Sequence, residues 1–219
     1  MTGARRPPRQ PDHNRVEPGD AIGIAIRIPV EHLRTLADLL SPHVPPGRIA
    51  DQSNFVTVYP TIGLDTLNGR RVTHRWVNVL GVPPPSVAPE DGVGGLAFIG
   101  APSTPISRLW RRQGLAFVPG RMGLALDRHA MRARIWIRTD GGTLAATARF
   151  DRNGEPWTAL PQHYYLMDPA RPVVWTGDEW GTRFDGIGEV EFQGSRGRDS
   201  FDAYIGLDLD LGWDYRFEA

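Results

Sequence analysis

Side chains that exchange protons near neutral pH are the first place to look for chemistry, and this chain offers six histidines and no cysteine. His13, His32, His43, His74, His129 and His163 lie far apart, with neither His-x-His nor His-Glu-x-x-His spacing. No metal site is therefore expected. His74, in a strand-like run between Thr73 and Arg75, is the candidate for general acid–base work. His163 beside Tyr164 and Tyr165 makes a polar–aromatic cluster able either to orient a substrate or to satisfy hydrogen bonds in a core.

The 25 basic residues are all arginine. A guanidinium keeps its proton near neutral pH, so imine formation between a lysine amine and a carbonyl substrate is excluded. Gly-x-Ser-x-Gly is absent, and Asp91-Gly92-Val93-Gly94-Gly95 lacks the Lys and Ser/Thr of a phosphate loop. No cofactor is expected. Seven tryptophans exceed what a core of this size requires. A barrel lined with aromatic rings and a few polar anchors makes a small-molecule site, and Trp76, Trp110, Phe117, Trp136, His163 and Tyr165 are the candidate substrate-binding residues.

The elements that must hold these groups follow from apolar periodicity. Asp20 to Ile28 is nearly continuous and β-branched, as in a strand covered on both faces. Pro29 opens a helix over Val30 to Leu40, with Val30, Leu33, Leu36, Ala37 and Leu40 on one stripe, ended by Ser41-Pro42 and Val44-Pro45-Pro46-Gly47. The period then becomes two. Phe55 to Tyr59, Val72 to Val82, Gly95 to Ile99, Arg132 to Arg138, Thr143 to Phe150 and Glu189 to Phe192 read as strands, and Asp140-Gly141-Gly142 as a hairpin turn. A second short helix is expected over Pro105 to Gln113. The alternating segment Leu207 to Phe217 closes the barrel, or lies across its mouth or a partner subunit. The expected fold is mostly β: a closed or highly curved antiparallel barrel or sandwich with two short helices.

Length and charge bound the rest. At 219 residues the chain fits one domain, expected over residues 18–219 behind a disordered Arg/Pro-rich leader at 1–17. Net charge is zero and no long apolar run occurs, so neither nucleic acid nor a membrane is an expected partner, and a cytoplasmic location is expected.

Two stretches carry a resemblance. Ile26-Arg27-Ile28-Pro29-Val30-Glu31-His32-Leu33-Arg34 resembles the opening segment of acetoacetate decarboxylase-like proteins, where a strand ends in arginine and a helix follows with Leu-Arg at the same offset. Arg108-Leu109-Trp110-Arg111-Arg112-Gln113-Gly114-Leu115-Ala116-Phe117-Val118-Pro119-Gly120-Arg121-Met122 is similar to that family's helix, glycine and Phe/Tyr-Pro-Lys-Lys stretch. The resemblance covers roughly Asp20 to Phe150, and Tyr164 to Phe192 more weakly. It implies a shared barrel scaffold and homo-oligomers, with Arg27 near the pocket and Arg121 at the former lysine site. Gly120-Arg121 stands where that family has its lysine pair, so decarboxylation through a protonated Schiff base does not transfer. The family's acidic residue is replaced near Thr73-His74-Arg75.

The catalytic candidates are therefore Arg27, His74 and Arg121. The expected activity is that of a cofactor-independent enzyme of bacterial specialised metabolism, acting on a hydrophobic, polyketide-like molecule by cyclisation, cycloaddition, elimination or isomerisation. A non-catalytic small-molecule binding or sensing barrel is the alternative. A lysine-independent decarboxylase of a β-keto acid is the third reading.

Overall fold

β1 (His13–Ile28) is built to be covered twice: Ile24, Ile26 and Ile28 face one apolar core, while Ala21 and Gly23 face another. The computed structural model describes the backbone at residues 13–81, 93–112, 116–166, 174–195 and 197–217, with side chains at all of these except 93, 159–166, 174–176 and 217. β1 starts at His13, so residues 13–17, expected as the end of a disordered leader, are strand, with Asn14 and Arg15 paired to both β2 and β11.

A single 3₁₀ turn, Val30–His32, leads into α1 (Leu33–Leu40), whose Leu33, Leu36, Ala37, Leu39 and Leu40 are buried. α2 (Pro46–Ala50) follows. Its Pro-Pro-Gly start reads from sequence as a stop, yet proline fits the first turn of a helix because its missing N–H would be unpaired there anyway. Then come β2 (Val56–Leu67), β3 (Arg70–Gly81), β4 (Val93–Gly100), α3 (Pro105–Arg112), β5 (Phe117–Asp127), β6 (Arg132–Thr139), β7 (Gly142–Phe150), β8 (Glu155–Leu166), β9 (Val174–Phe184), β10 (Gly186–Gly194) and β11 (Gly197–Phe217). The described residues thus hold three α-helices where two were expected.

The strands form one sheet in the order β1-β2-β3-β4-β5-β6-β7-β10-β11, and the β1–β11 pairing closes these nine into a barrel. β8 and β9 bridge β4 to β11, so β1-β2-β3-β4-β8-β9-β11 forms a smaller second ring. The sheet is mixed, because β4 runs parallel to both β5 and β8 while the other pairs are antiparallel. The expected purely antiparallel sheet is corrected accordingly. β11 is long enough, at 21 residues, to leave β10 near its middle and finish against β1 and β9, and this crossing closes the barrel.

The two rings enclose different interiors. Residues of α1 and α2 pack with Ile135, Ile137, Leu144 and Val190 inside the large barrel. The smaller ring is filled by Trp76, Phe98, Trp110, Leu211, Trp213 and Tyr215. Burial on this scale, at about 25 cal/mol per Å² of apolar surface, is the main force holding a disulfide-free barrel closed.

Candidate functional site

The polar residues fully enclosed by the fold concentrate in the small ring, and the hairpin of β2 and β3 sets the first of them. Gly63 pairs with His74 across this hairpin, and a side chain at 63 would collide with His74 Cε1 at 2.7 Å and with the Asp20 carbonyl at 2.6 Å. Glycine therefore makes the seat for the imidazole. His74 Nδ1 lies 2.8 Å from Asp65 Oδ1, and neither side chain reaches solvent. The contact is an ion-pair distance, bent away from the line a hydrogen bond prefers. Asn14 Nδ2 donates to the other oxygen of Asp65 at 3.4 Å, and Trp213 Nε1 donates to Asn14 Oδ1 at 2.7 Å.

Aromatic walls surround this dyad. The His74 ring stacks on Trp76 at 3.9 Å between centroids, and Trp213 lies 5.6 Å away. Burial pushes the Asp65 carboxyl above its usual range, and the contacts with His74 and Asn14 offset that only in part. His74 Nε2 meets no partner among the described residues.

Beside the dyad, Tyr59, Thr61, Trp76, Trp110, Leu211 and Trp213 line a narrow cavity with room of about 30 Å³ for solvent-sized occupants. That admits a water or two and no larger molecule while these rings stay in place. Thr61 Oγ1 and Trp76 Nε1 are buried in its wall without partners among the described residues. Such unmatched groups are what a polar ligand atom or an ordered water would satisfy.

A second polar cluster ties the strands of this ring together. Asp208, fully buried on β11, accepts two bonds from Arg183 on β9, Nε at 2.8 Å and Nη2 at 2.6 Å. Tyr59 on β2 and Trp157 on β8 complete its shell at 2.7 and 3.1 Å. Burial alone would lower the Arg183 guanidinium, but its bonds to Asp208 and that carboxylate's charge outweigh it and hold it above its ordinary range. Burial raises the Tyr59 hydroxyl well above its usual range, and the charges of Asp208 and Glu179 add to the effect. Gly23 leaves the space that the Tyr59 ring and hydroxyl occupy.

The sequence candidates divide between these surroundings and the outside. His74, Trp76, Trp110 and Phe117 come together in one aromatic cluster, with Trp76 6.5 Å from Trp110, and Phe98 5.2 Å from Trp110 and 6.0 Å from Phe117. Arg27 shares the Gly23 and Ala25 face of β1, so it belongs to the small ring's side, but it is exposed at the end of the strand. Its guanidinium sits between the rings of Phe55, at 4.8 Å, and Tyr204, at 4.3 Å. Arg27 is level with Thr57 and His74 with Gly63, which separates their backbones by about 20 Å along β2. The two do not converge on one substrate atom.

Arg121 is exposed on β5 opposite Arg138, and Trp136 is 46% exposed on the outer face of β6, away from the aromatic cluster. His163 and Tyr165 lie on β8 with side chains outside the described residues.

Comparison adds no relative. No protein-family model matches the chain, and no curated protein matches it. Among the described residues no group of three or more metal-binding side chains converges, and no helix is long and apolar enough to cross a membrane.

Proposed function

We propose that the small ring, whose cavity holds no more than a water or two until the rings of Trp76, Trp110 and Trp213 swing aside, is a small-molecule site in which the His74–Asp65 dyad does general acid–base work on a hydrophobic substrate carrying a carbonyl. The observation that carries the reading is a buried imidazole–carboxylate pair, 2.8 Å apart, inside walls of tryptophan. In an apolar enclosure an imidazole moves a proton between a substrate carbon and a carbonyl oxygen, and an adjacent carboxylate stabilises the imidazolium that forms. Cyclisation, elimination and isomerisation all need only such proton movement plus a confined reactive conformer. Confinement can lower a barrier by up to about 7–11 kcal/mol.

Within this reading the protein is a cofactor-independent enzyme of bacterial specialised metabolism, cytoplasmic, on a scaffold of the acetoacetate decarboxylase-like kind without its lysine. A non-catalytic barrel holding an apolar ligand is the second reading. It is favoured by the complete enclosure of His74 and Asp65, whose side chains are both 0% exposed.

Metabolite mass spectrometry of host extracts lacking the gene, before and after adding back purified protein, tests the proposal. Conversion of an accumulated precursor supports it, and the mass change names the reaction: none for cyclisation or isomerisation, water for elimination, carbon dioxide for decarboxylation. An unchanged profile together with a ligand recovered intact from the protein favours the binding reading.

A further inference from the structure

Arg70, Arg71, Arg108, Arg111 and Arg112 line one open depression of about 830 Å³ between the β2–β3 hairpin and α3, and all five are exposed. The segments that build it are stripped of acids. Residues 66–89 and 92–126 contain no aspartate or glutamate, although acids and arginines balance over the whole chain. Arg71 is matched by Asp20 at 3.1 Å, while Arg70, Arg108 and Arg111 meet no carboxylate among the described residues. Arg111 and Arg112 stand three and four residues beyond Arg108, so like charges are neighbours on one face of α3 and repel one another. An anion between them relieves that repulsion.

The arginines are held in place. Asn68 and Gly69, both at positive φ, make the tight turn that fixes Arg70 and Arg71 at the start of β3. Arg108 donates from Nη1 to the Ser103 carbonyl at 2.9 Å, which anchors it and leaves its other N–H groups to bind elsewhere. Arg111 lies over the Phe117 ring at 5.6 Å.

This groove adjoins the small ring. Leu67 and Val72 line it and also belong to that ring's apolar filling. On β3, Arg70, Val72 and His74 share one face, with Arg70 about 13 Å along the strand from His74. α3 carries Trp110 on its buried face and the three arginines on its exposed one, so a ligand held in the groove sits against the helix whose indole must swing aside.

We propose that the groove binds the phosphate end of a substrate, a phosphate ester or diphosphate whose apolar, carbonyl-bearing part enters the small ring, an inference that rests on the small ring being the substrate site. Guanidinium forks match phosphate oxygens in pairs. A lone carboxylate offers two oxygens in one plane and takes one fork, whereas phosphoryl oxygens point several ways and can meet arginines from β3 and α3 together. Unbalanced positive charge over an apolar wall also concentrates such anions at the mouth of the ring.

The test is isothermal titration calorimetry of the full chain at low salt with inorganic pyrophosphate, and with citrate as a polyanion lacking phosphate. The variants are R70E, R111E, H74F and R134E, the last reversing an exposed arginine on the outer face of β6, each first shown to be folded by circular dichroism. Pyrophosphate is expected to bind with a Kd below about 1 mM and citrate at least about tenfold more weakly. R70E and R111E, on different elements, should each weaken pyrophosphate at least about tenfold, while R134E and H74F bind it as wild type does. Pyrophosphate should also compete with the precursor in the host-extract conversion assay. No binding, equal affinity for citrate, or R70E and R111E indistinguishable from R134E would overturn the phosphate site. Binding that depends on Arg70 and Arg111 but leaves conversion uninhibited would overturn its place in the substrate's path. Inhibition kept while H74F converts the precursor at the wild-type rate would overturn the dyad alone and uphold the phosphate site.

Discussion

Replacing Arg183 by methionine should destabilise the protein far more than loss of a surface charge, because it strands a carboxylate inside the small ring. Asp208 is fully buried and its two oxygens take the fork of Arg183 at 2.8 and 2.6 Å. Methionine keeps most of the apolar stem and removes the charge, both hydrogen bonds and the contact of the guanidinium over Trp157 at 5.5 Å. Breaking a buried ion pair from one side costs about 3–5 kcal/mol. Tyr59 and Trp157 still donate one bond to each oxygen, and the Arg183 side chain is itself 31% exposed, so the lower end applies, about 3 kcal/mol. For a chain of this length that corresponds to a fall in Tm of about 6–12 °C.

Urea and thermal denaturation followed by circular dichroism measure it, and adding D208N to R183M completes a double-mutant cycle. Neutralising the stranded charge should return part of the loss, with a coupling of at least about 2 kcal/mol. A loss below about 1 kcal/mol, as for exposed pairs, and a coupling near zero would refute the assignment of Asp208 and Arg183 as the clasp of the small ring.

Three further outcomes follow from the same geometry. Gly63→Ala should cost about 1–3 kcal/mol by overpacking and displace the imidazole, visible as a shifted His74 ring signal in NMR; an unshifted signal and unchanged stability would contradict the seat described for His74. Tyr59 keeps its proton in the folded state beyond the pH at which an unfolded tyrosine ionises, near 10, so its contribution is present below that pH and is lost as pH rises. Above it stability should fall by about 1.4 kcal/mol per pH unit for this group, and Tyr59→Phe should flatten the alkaline limb, with an unchanged slope counting against the buried hydroxyl. Asp199, held below its usual range chiefly by His32, contributes stability above the unfolded carboxylate range and loses it as pH falls; Asp199→Asn should remove that acid-side slope in a pH series of urea midpoints.

Much of the barrel is legible in the sequence where one strand face meets the core and the other meets water. β6 and β7 alternate strictly and are joined at Asp140-Gly141, and both are read directly. β5 is hidden because Pro119, Gly120 and Gly123 break the alternation, though in the fold Gly123 seats the Trp136 indole and Gly120 fits against Ile99 and the Arg138 carbonyl. β9 is hidden likewise by glycines: Gly177 leaves room for the ring of Tyr215. β2 is read only to Tyr59 since Pro60 looks like an end, yet the strand continues to Leu67 and brings Asp65 to His74.

His74 is visible as a candidate from its residue type, while its partner is visible only through hairpin register. Asp208 is missed for a different reason. In Leu207-Asp208-Leu209-Asp210 the acids look like a solvent face, and Asp210 is indeed exposed, at a positive φ of 52°. β11, however, runs between two interiors, so the face that is outward for one ring is inward for the other. Local alternation carries no information about that second wall.

The measurement closest to the central claim is precursor conversion by wild type, H74F and D65N in extracts of the host lacking the gene, each variant first shown to be folded. General acid–base catalysis contributes about 10²–10⁴-fold, so wild type should convert the precursor, H74F should lose at least about a hundredfold in rate, and D65N should fall between them. Conversion by H74F at the wild-type rate would contradict a catalytic dyad in the small ring.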